Sequence, residues 1–296
     1  MDIDLAAPGF ERIVGTRPPL DQIAHGLYFG EGPVWDRRKK RFLWVDIIGD
    51  TIYEWTPGVG TKALVHPSSH ANGMTFDREG RLVIAGWSSR TIWRIEHDGA
   101  FTTIADRFDG KKFNSPNDIV VRSDGSVYWT DSAGGLVIPG MVGEDMQRQL
   151  DIQGVFRLTP QGEVKVVVED TVYPNGLCFS PDETILYVND TRQALIRAFD
   201  VNPDGSVKNS RVFYKLTGTE PGVADGMKCD RDGNVYCTGP GGIHVMDPSG
   251  KLLGRLRVAG HCTNMAWGDD DWRSLYYTTY HGVHRTRLNI PGVPVW

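Results

Sequence analysis

Six residues of this chain carry side-chain oxygens at one recurring place, immediately ahead of an apolar, β-rich run: Glu31, Asn72, Asn117, Asn175, Asp225 and Thr263. Any one of them alone reads as a turn residue bonding its own backbone, because Asn and Asp favour such positions. Together they offer a different chemistry. Amide, hydroxyl and carboxylate oxygens with no His or Cys among them suit a hard divalent cation, Ca²⁺ first, with Mg²⁺ or Mn²⁺ as alternatives and Zn²⁺ or Fe²⁺ also admitted. Two carboxylates roughly neutralise such an ion. A lone acid such as Glu31 at the mouth of a channel would otherwise be a costly unpaired charge, so Glu31 reads as a metal ligand.

Residues this far apart need a scaffold that returns to one axis, and the chain repeats in a way that supplies it. After "EGPVWDRRKKRFLWVD" from Glu31 come "NGMTFDREGRLVIAG" from Asn72, "NDIVVRSDGSVYWTD" from Asn117 and "NGLCFSPDETILYVND" from Asn175. "DGMKCDRDGNVYCTG" from Asp225 and "TNMAWGDDDWRSLYYTT" from Thr263 complete the set. The spacings of 41, 45, 58, 50 and 38 residues fit propeller blades of four short strands. In every copy the third and fifth positions are apolar, such as Met74/Phe76 and Met265/Trp267, which is the period of two of a strand. Turns such as "DREG" and "DRDG" then lead to a second strand that pairs back antiparallel.

The expected fold is therefore all-β, one six-bladed β-propeller over residues 1–296 with four-stranded blades. The sixth copy runs out of chain after "GVHRTRL", so an N-terminal strand, taken from "ERIVG" at residues 11–15, is expected to close the last blade. The innermost strands line the channel and run the same way, which puts the six first-position residues in one ring.

Composition excludes several other roles. With 296 residues, 40% hydrophobic content and a formal charge of -5 spread along the chain, there is no nucleic-acid footprint and no polybasic membrane patch. The one dense basic run, "RRKK" at 37–40, reads as an exposed turn. No stretch approaches the ~18 apolar residues of a membrane helix, and the N-terminus lacks a signal layout, so a cytoplasmic location is expected. Cys178, Cys229, Cys237 and Cys262 form no CxxC pair and read as buried, reduced thiols.

The quoted copies, with "GEGPVW", "NSPNDIVVRSDG", "YPNGLCFSPDETILYVNDT", "ADGMKCDRDGNVY" and "GGIHVMDPSGKLLGRL", resemble the gluconolactonase and senescence-marker-protein (regucalcin) family from about residue 25 to 290. The resemblance implies a six-bladed propeller, one divalent cation held by Glu31, Asn175 and Asp225, and hydrolysis of sugar-type lactones. It also implies that Asn117 contacts the substrate or completes the metal shell. The chain departs from the family's pattern at Ala85, Gly86 and Trp87, where an acid-His pair is common, at "TDSAGG" (130–135), and at Ser115, where an Arg is common.

On that reading a small-molecule lactone is bound beside the cation, which polarises its carbonyl and acidifies a water, while Asp225 takes the proton. Asp131 and Asp190, at the ends of second strands, are substrate-facing collar residues and fallback bases; Trp87 stacks on the substrate. His66, His70 and His261 lie in loops before inner strands, either as plain loop imidazoles or as a base. Residues 132–152 form either a lid or a surface insertion. Two further function classes stand beside the lactonase: a non-enzymatic Ca²⁺-binding or interaction propeller, and another metal-dependent ester or phosphotriester hydrolase. A single "YWTD" (128–131) does not make a receptor propeller, where that tetrapeptide repeats.

Overall fold

The computed structural model describes residues 1–137 and 146–296. Six antiparallel sheets form the six blades of a propeller, each beginning with its innermost strand. The inner strands are Gly30–Asp36, Ala71–Phe76, Ser115–Val121, Pro174–Phe179, Met227–Cys229 and Cys262–Gly268. Alternation builds each of them. Apolar side chains at the third and fifth repeat positions, including Met74, Leu177, Met227 and Met265, are buried between neighbouring blades. At the seam between the first and last blades, Phe42 stacks on Tyr276 at 4.3 Å between ring centroids. Such aromatic pairs contribute about 0.5–1.5 kcal/mol beyond the area they bury.

The turns between inner and second strands are held by the same acidic residue in several copies. In "DREG", Asp77 Oδ1 accepts the N–H of Glu79 and of Arg81, and Gly80 takes φ +79°. Glycine adopts that left-handed angle without steric cost. The basic run 37–40 is a solvent-exposed turn, as its composition predicts.

Ring closure uses an N-terminal strand, but not the expected one. Residues 11–15 do not pair; Phe10–Val14 is a short helix, and Asp21–His25 pairs antiparallel with Gly282–Arg287 to complete blade six. The reason lies in spacing. Phe10, Ile13 and Val14 fall on one helical face, and all three are buried. A further strand, Ile3–Leu5, extends blade five through Gly254–Leu256. At the other terminus the chain bridges to blade five at Asp230 and Gly292, and Trp296 Nε1 donates to Val121 O on blade three at 3.2 Å.

The four cysteines are free and buried. Among the described residues, no helix is long and apolar enough to cross a membrane.

Candidate functional site

A strictly alternating strand would turn the first repeat position to the same side as positions three and five, between the blades. One extra residue prevents this. The register between inner and second strands shifts at Glu31/Val34, Ala71/Met74, Pro116/Ile119, Pro174/Leu177 and Cys262/Asn264. A bulge of this kind re-aims the side chains beside it.

The second repeat position then approaches the neighbouring strand so closely that four blades carry glycine there. A Cβ on Gly176 would sit 2.2 Å from Asp225 O, and one on Gly226 would sit 1.9 Å from Asn264 Oδ1. The two exceptions are Asp118 and Asn264, whose side chains occupy the channel. This overturns one member of the expected ring. In blade six the Thr263 hydroxyl is turned away, donating to Gly30 O at 2.6 Å, and Asn264 takes its place. Asn264 Nδ2 donates to Glu31 Oε2 at 3.0 Å.

Glu31 and Asp225 are both buried, and among the described residues neither forms an ion pair with a Lys or Arg. Burial, then the charge of Asp225, push the Glu31 carboxyl well above its ordinary range, against the opposing pull of the Gly32 N–H and the Asn264 amide. Burial likewise raises Asp225, while His261 and Asn175 beside it lower it. His261 Nε2 lies 3.5 Å from Asp225 Oδ2, and its ring is stacked on Tyr280 at 4.4 Å. Asn175 Nδ2 donates to Thr191 Oγ1 at 3.1 Å. The charge of Asp118 reaches both carboxylates, and Asp118 is itself partnered by Lys228 Nζ at 3.3 Å.

This donor set fits a divalent cation. Two buried carboxylates, each raised by its burial and Glu31 further raised by the charge of Asp225, with no Lys or Arg paired to either among the described residues, are stabilised by a doubly charged ion and by little else. Asn72 Oδ1 is a further buried oxygen with no hydrogen-bond partner among the described residues. Among the described residues no three of His, Cys, Asp and Glu gather as ligands, so amide oxygens must share the coordination. Such an all-oxygen set favours a hard ion.

Asn117 is buried on the ring of first-position residues. Asp131 and Trp87, expected to face a substrate, are enclosed instead. Asp131 is fully buried and its Oδ2 accepts the Asn114 N–H at 2.8 Å, while burial pushes its carboxyl up to about 7. Trp87 is covered by the turn Gly134–Val137; a Cβ on Gly135 would lie 2.6 Å from its Nε1. The other collar acids behave like Asp131. Asp190 accepts from the N–H groups of Val172, Tyr173, Arg192 and Gln193, and Asp46 from those of Tyr28, Phe29 and Gly49. A carboxylate at the end of a second strand therefore ties the loop entering its own blade, a duty that sequence position alone did not separate from catalysis.

Of the three loop histidines, only His261 meets an expected ligand. His70 Nδ1 contacts Ile47 O at 2.6 Å, and His66 Nδ1 contacts Thr51 Oγ1 at 3.0 Å. The site also holds residues that the repeat did not announce. The charge of Asp225 acts on the phenols of Tyr173 and Tyr280, so both stand near it. Asp118 and Asn264 were visible in principle, as departures from glycine at the second repeat position. Of the expected lid, Gly134–Val137 is a single helical turn, and 138–145 lie outside the described residues.

A family model described as the SMP-30/gluconolactonase/LRE-like region matches residues 29–281. A gluconolactonase of Zymomonas mobilis is 30% identical over an alignment that covers 97% of this chain and 86% of that protein. A pentonolactonase of Haloferax volcanii is 29% identical, covering 86% and 82% respectively. A solved gluconolactonase structure from Xanthomonas campestris has a TM-score of 0.89 to this chain at 28% identity, covering 97% of this chain and 95% of that one.

Proposed function

Because the chain belongs to the SMP-30/gluconolactonase/LRE-like family, we propose that it is a lactonase that opens a sugar-type (aldono) lactone with one divalent cation held by Glu31, Asn175 and Asp225. The observation that carries the metal dependence is the pair of buried carboxylates, Glu31 and Asp225, close enough for the charge of Asp225 to raise Glu31, with no Lys or Arg paired to either among the described residues. The lactonase relatives support the reaction class and the sugar-derived substrate.

A bound divalent ion supplies Lewis-acid polarisation of a carbonyl and a lowered pKa for water. Glu31 is oriented for that duty by two donors on one oxygen, the Gly32 N–H at 2.7 Å and the Asn264 amide, and among the described residues its other oxygen has no donor. Asn175 is oriented by Thr191. Asp225 accepts the proton of the attacking water. As the water oxygen bonds to the carbonyl carbon, the bond from that carbon to the ring oxygen breaks, and the proton passes to the ring oxygen to leave an open hydroxy acid. His261, beside Asp225 Oδ2, stabilises the carboxylate before it takes the proton and after it gives the proton up.

Asn117 offers its amide to the lactone's ring or carbonyl oxygen. Asp131 positions the segment leading to it by holding the Asn114 N–H, and Trp87 backs the same segment through Ser115 and Gly135. Acid release from glucono-1,5-lactone, followed by pH-stat with and without chelator, tests the proposal. Activity that falls on chelation and returns with Ca²⁺ in the native protein, and is lost in Glu31→Gln, is the expected result. Full activity after exhaustive chelation would overturn the metal dependence, and no hydrolysis of any aldonolactone would overturn the activity.

A further inference from the structure

Beyond the candidate metal centre, the propeller channel opens into a cavity of about 520 Å³, within the range of about 300–1,000 Å³ usual for small-molecule sites. The repeat accounts for its walls. Position four of the inner strands is occupied by Val34, Thr75, Val120, Cys178, Lys228 and Ala266, and all six line the cavity. Lys228 is the only charged member of that ring. Between this level and the metal centre stand Asp118 and Asn264, the two side chains that replace glycine at position two.

The far end is covered by the C-terminal tail. It runs from blade five, where Val293 N donates to Cys229 O at 3.2 Å, to blade three, where the Trp296 indole is held by Val121 O. On the way Gly292 lies against Trp267 so tightly that a Cβ would fall 1.8 Å from the ring. The Arg78 guanidinium sits 4.9 Å from the centroid of the Trp296 ring. The tail thus gives the cavity an apolar floor built from Val293, Val295 and Trp296.

Lys228 decides what such a space would hold. Its ammonium donates to Asp118 Oδ2 at 3.3 Å and to Met227 O at 3.0 Å, which uses two of its three N–H groups. Among the described residues the third has no partner, and it is available to the cavity. Asp118 cancels its charge, so the wall presents a strong donor without net positive charge. Asp182 and Glu183 at the rim disfavour an anion.

We propose that this cavity is a second ligand site, separate from the metal centre, for a neutral, apolar molecule carrying one carbonyl oxygen, such as an aryl or alkyl ketone or ester. The carbonyl accepts the remaining N–H of Lys228, and the apolar body lies among Ile119, Phe179, Trp267 and Trp296. The site does not depend on the lactonase reading, since none of these residues belongs to that chemistry.

The test is a fluorescence titration of the full-length, Ca²⁺-loaded protein with the naphthyl ketone prodan, whose emission shifts to the blue in apolar surroundings. A blue-shifted signal saturating at one equivalent is expected. Lys228→Met, which keeps the apolar walls and removes the donor, is expected to weaken it about tenfold, the value of one hydrogen bond from a charged donor. Ala266→Phe, which pushes a ring into the cavity beside Lys228, is expected to abolish it. Circular dichroism melting of both variants establishes that they are folded. Because Lys228→Met also unpairs Asp118, Ala266→Phe provides the independent arm. Binding that survives Ala266→Phe, or that gluconate displaces from the native protein, would overturn the proposal. So would a Lys228→Met variant that binds prodan as tightly as the native chain.

Discussion

Asn264 and Glu31 lie 233 residues apart in the chain, yet the Asn264 amide donates to Glu31 Oε2 at 3.0 Å, joining the last blade to the first at the candidate metal centre. This contact orients the Glu31 carboxylate, the candidate ligand of the first blade. Partners that orient a ligand in this way typically affect metal affinity by about 10–100-fold. Asn264→Leu is expected to weaken Ca²⁺ binding by about that factor, with a native melting profile in the absence of metal. Isothermal titration with Ca²⁺ checks it.

Gly226 makes that geometry possible. A methyl group there would meet Asn264 Oδ1 at 1.9 Å, whereas Gly99, in a hairpin turn, has open space around its Cβ position. Gly226→Ala is expected to destabilise the fold by about 1–3 kcal/mol through overpacking and to lose Ca²⁺ affinity together with stability. Gly99→Ala is expected to show only the smaller strain of its positive φ and to bind Ca²⁺ normally. Denaturant unfolding with and without Ca²⁺ separates the two effects.

His261 and His70 occupy equivalent loops, but only His261 reaches Asp225, at 3.5 Å. His261→Gln is expected to reduce kcat on glucono-1,5-lactone by about 10²-fold, the lower range for groups that assist proton transfer. His70→Gln, whose ring holds only the Ile47 carbonyl, is expected to leave kcat unchanged. Equal effects of the two substitutions would remove His261 from the reaction.

Asp131 gives the fold a pH dependence of definite sign. Burial raises its carboxyl from 3.8 to about 7, with the Asn114 N–H and the charge of Arg90 only partly opposing. The folded state therefore binds this proton more tightly than the unfolded chain does. The stabilisation is fully present below the unfolded value and is lost as pH rises through about 7. The urea midpoint of the native protein is expected to fall between pH 5 and pH 8 by a component that Asp131→Asn removes, because the neutral amide can still accept the Asn114 N–H. A slope that is the same in both proteins would place the titration elsewhere.

The six copies of an oxygen-bearing residue followed by an alternating strand were enough to set out a propeller, its blade count and the ring on which Glu31, Asn175 and Asp225 stand. Those features are local and periodic, and a period of two with turn residues at fixed offsets is written directly in the order of amino acids. The register shifts at the head of the inner strands were not legible, because their one compositional mark, glycine at the second repeat position in four blades, is also what an ordinary turn uses. In blade six the shift falls between Cys262 and Asn264, a shorter span than in the other blades that shift, and there Asn264 rather than Thr263 faces Glu31. Closure of the ring was legible as a need, yet the choice of Asp21–His25 over residues 11–15 rested on where Phe10, Ile13 and Val14 found a buried face. Likewise, Asp131 and Asp190 are candidate bases in sequence, and only the tertiary structure shows loop N–H groups donating to each of them. Chain order carried what repeats along one strand, and packing between distant blades decided which side chains meet.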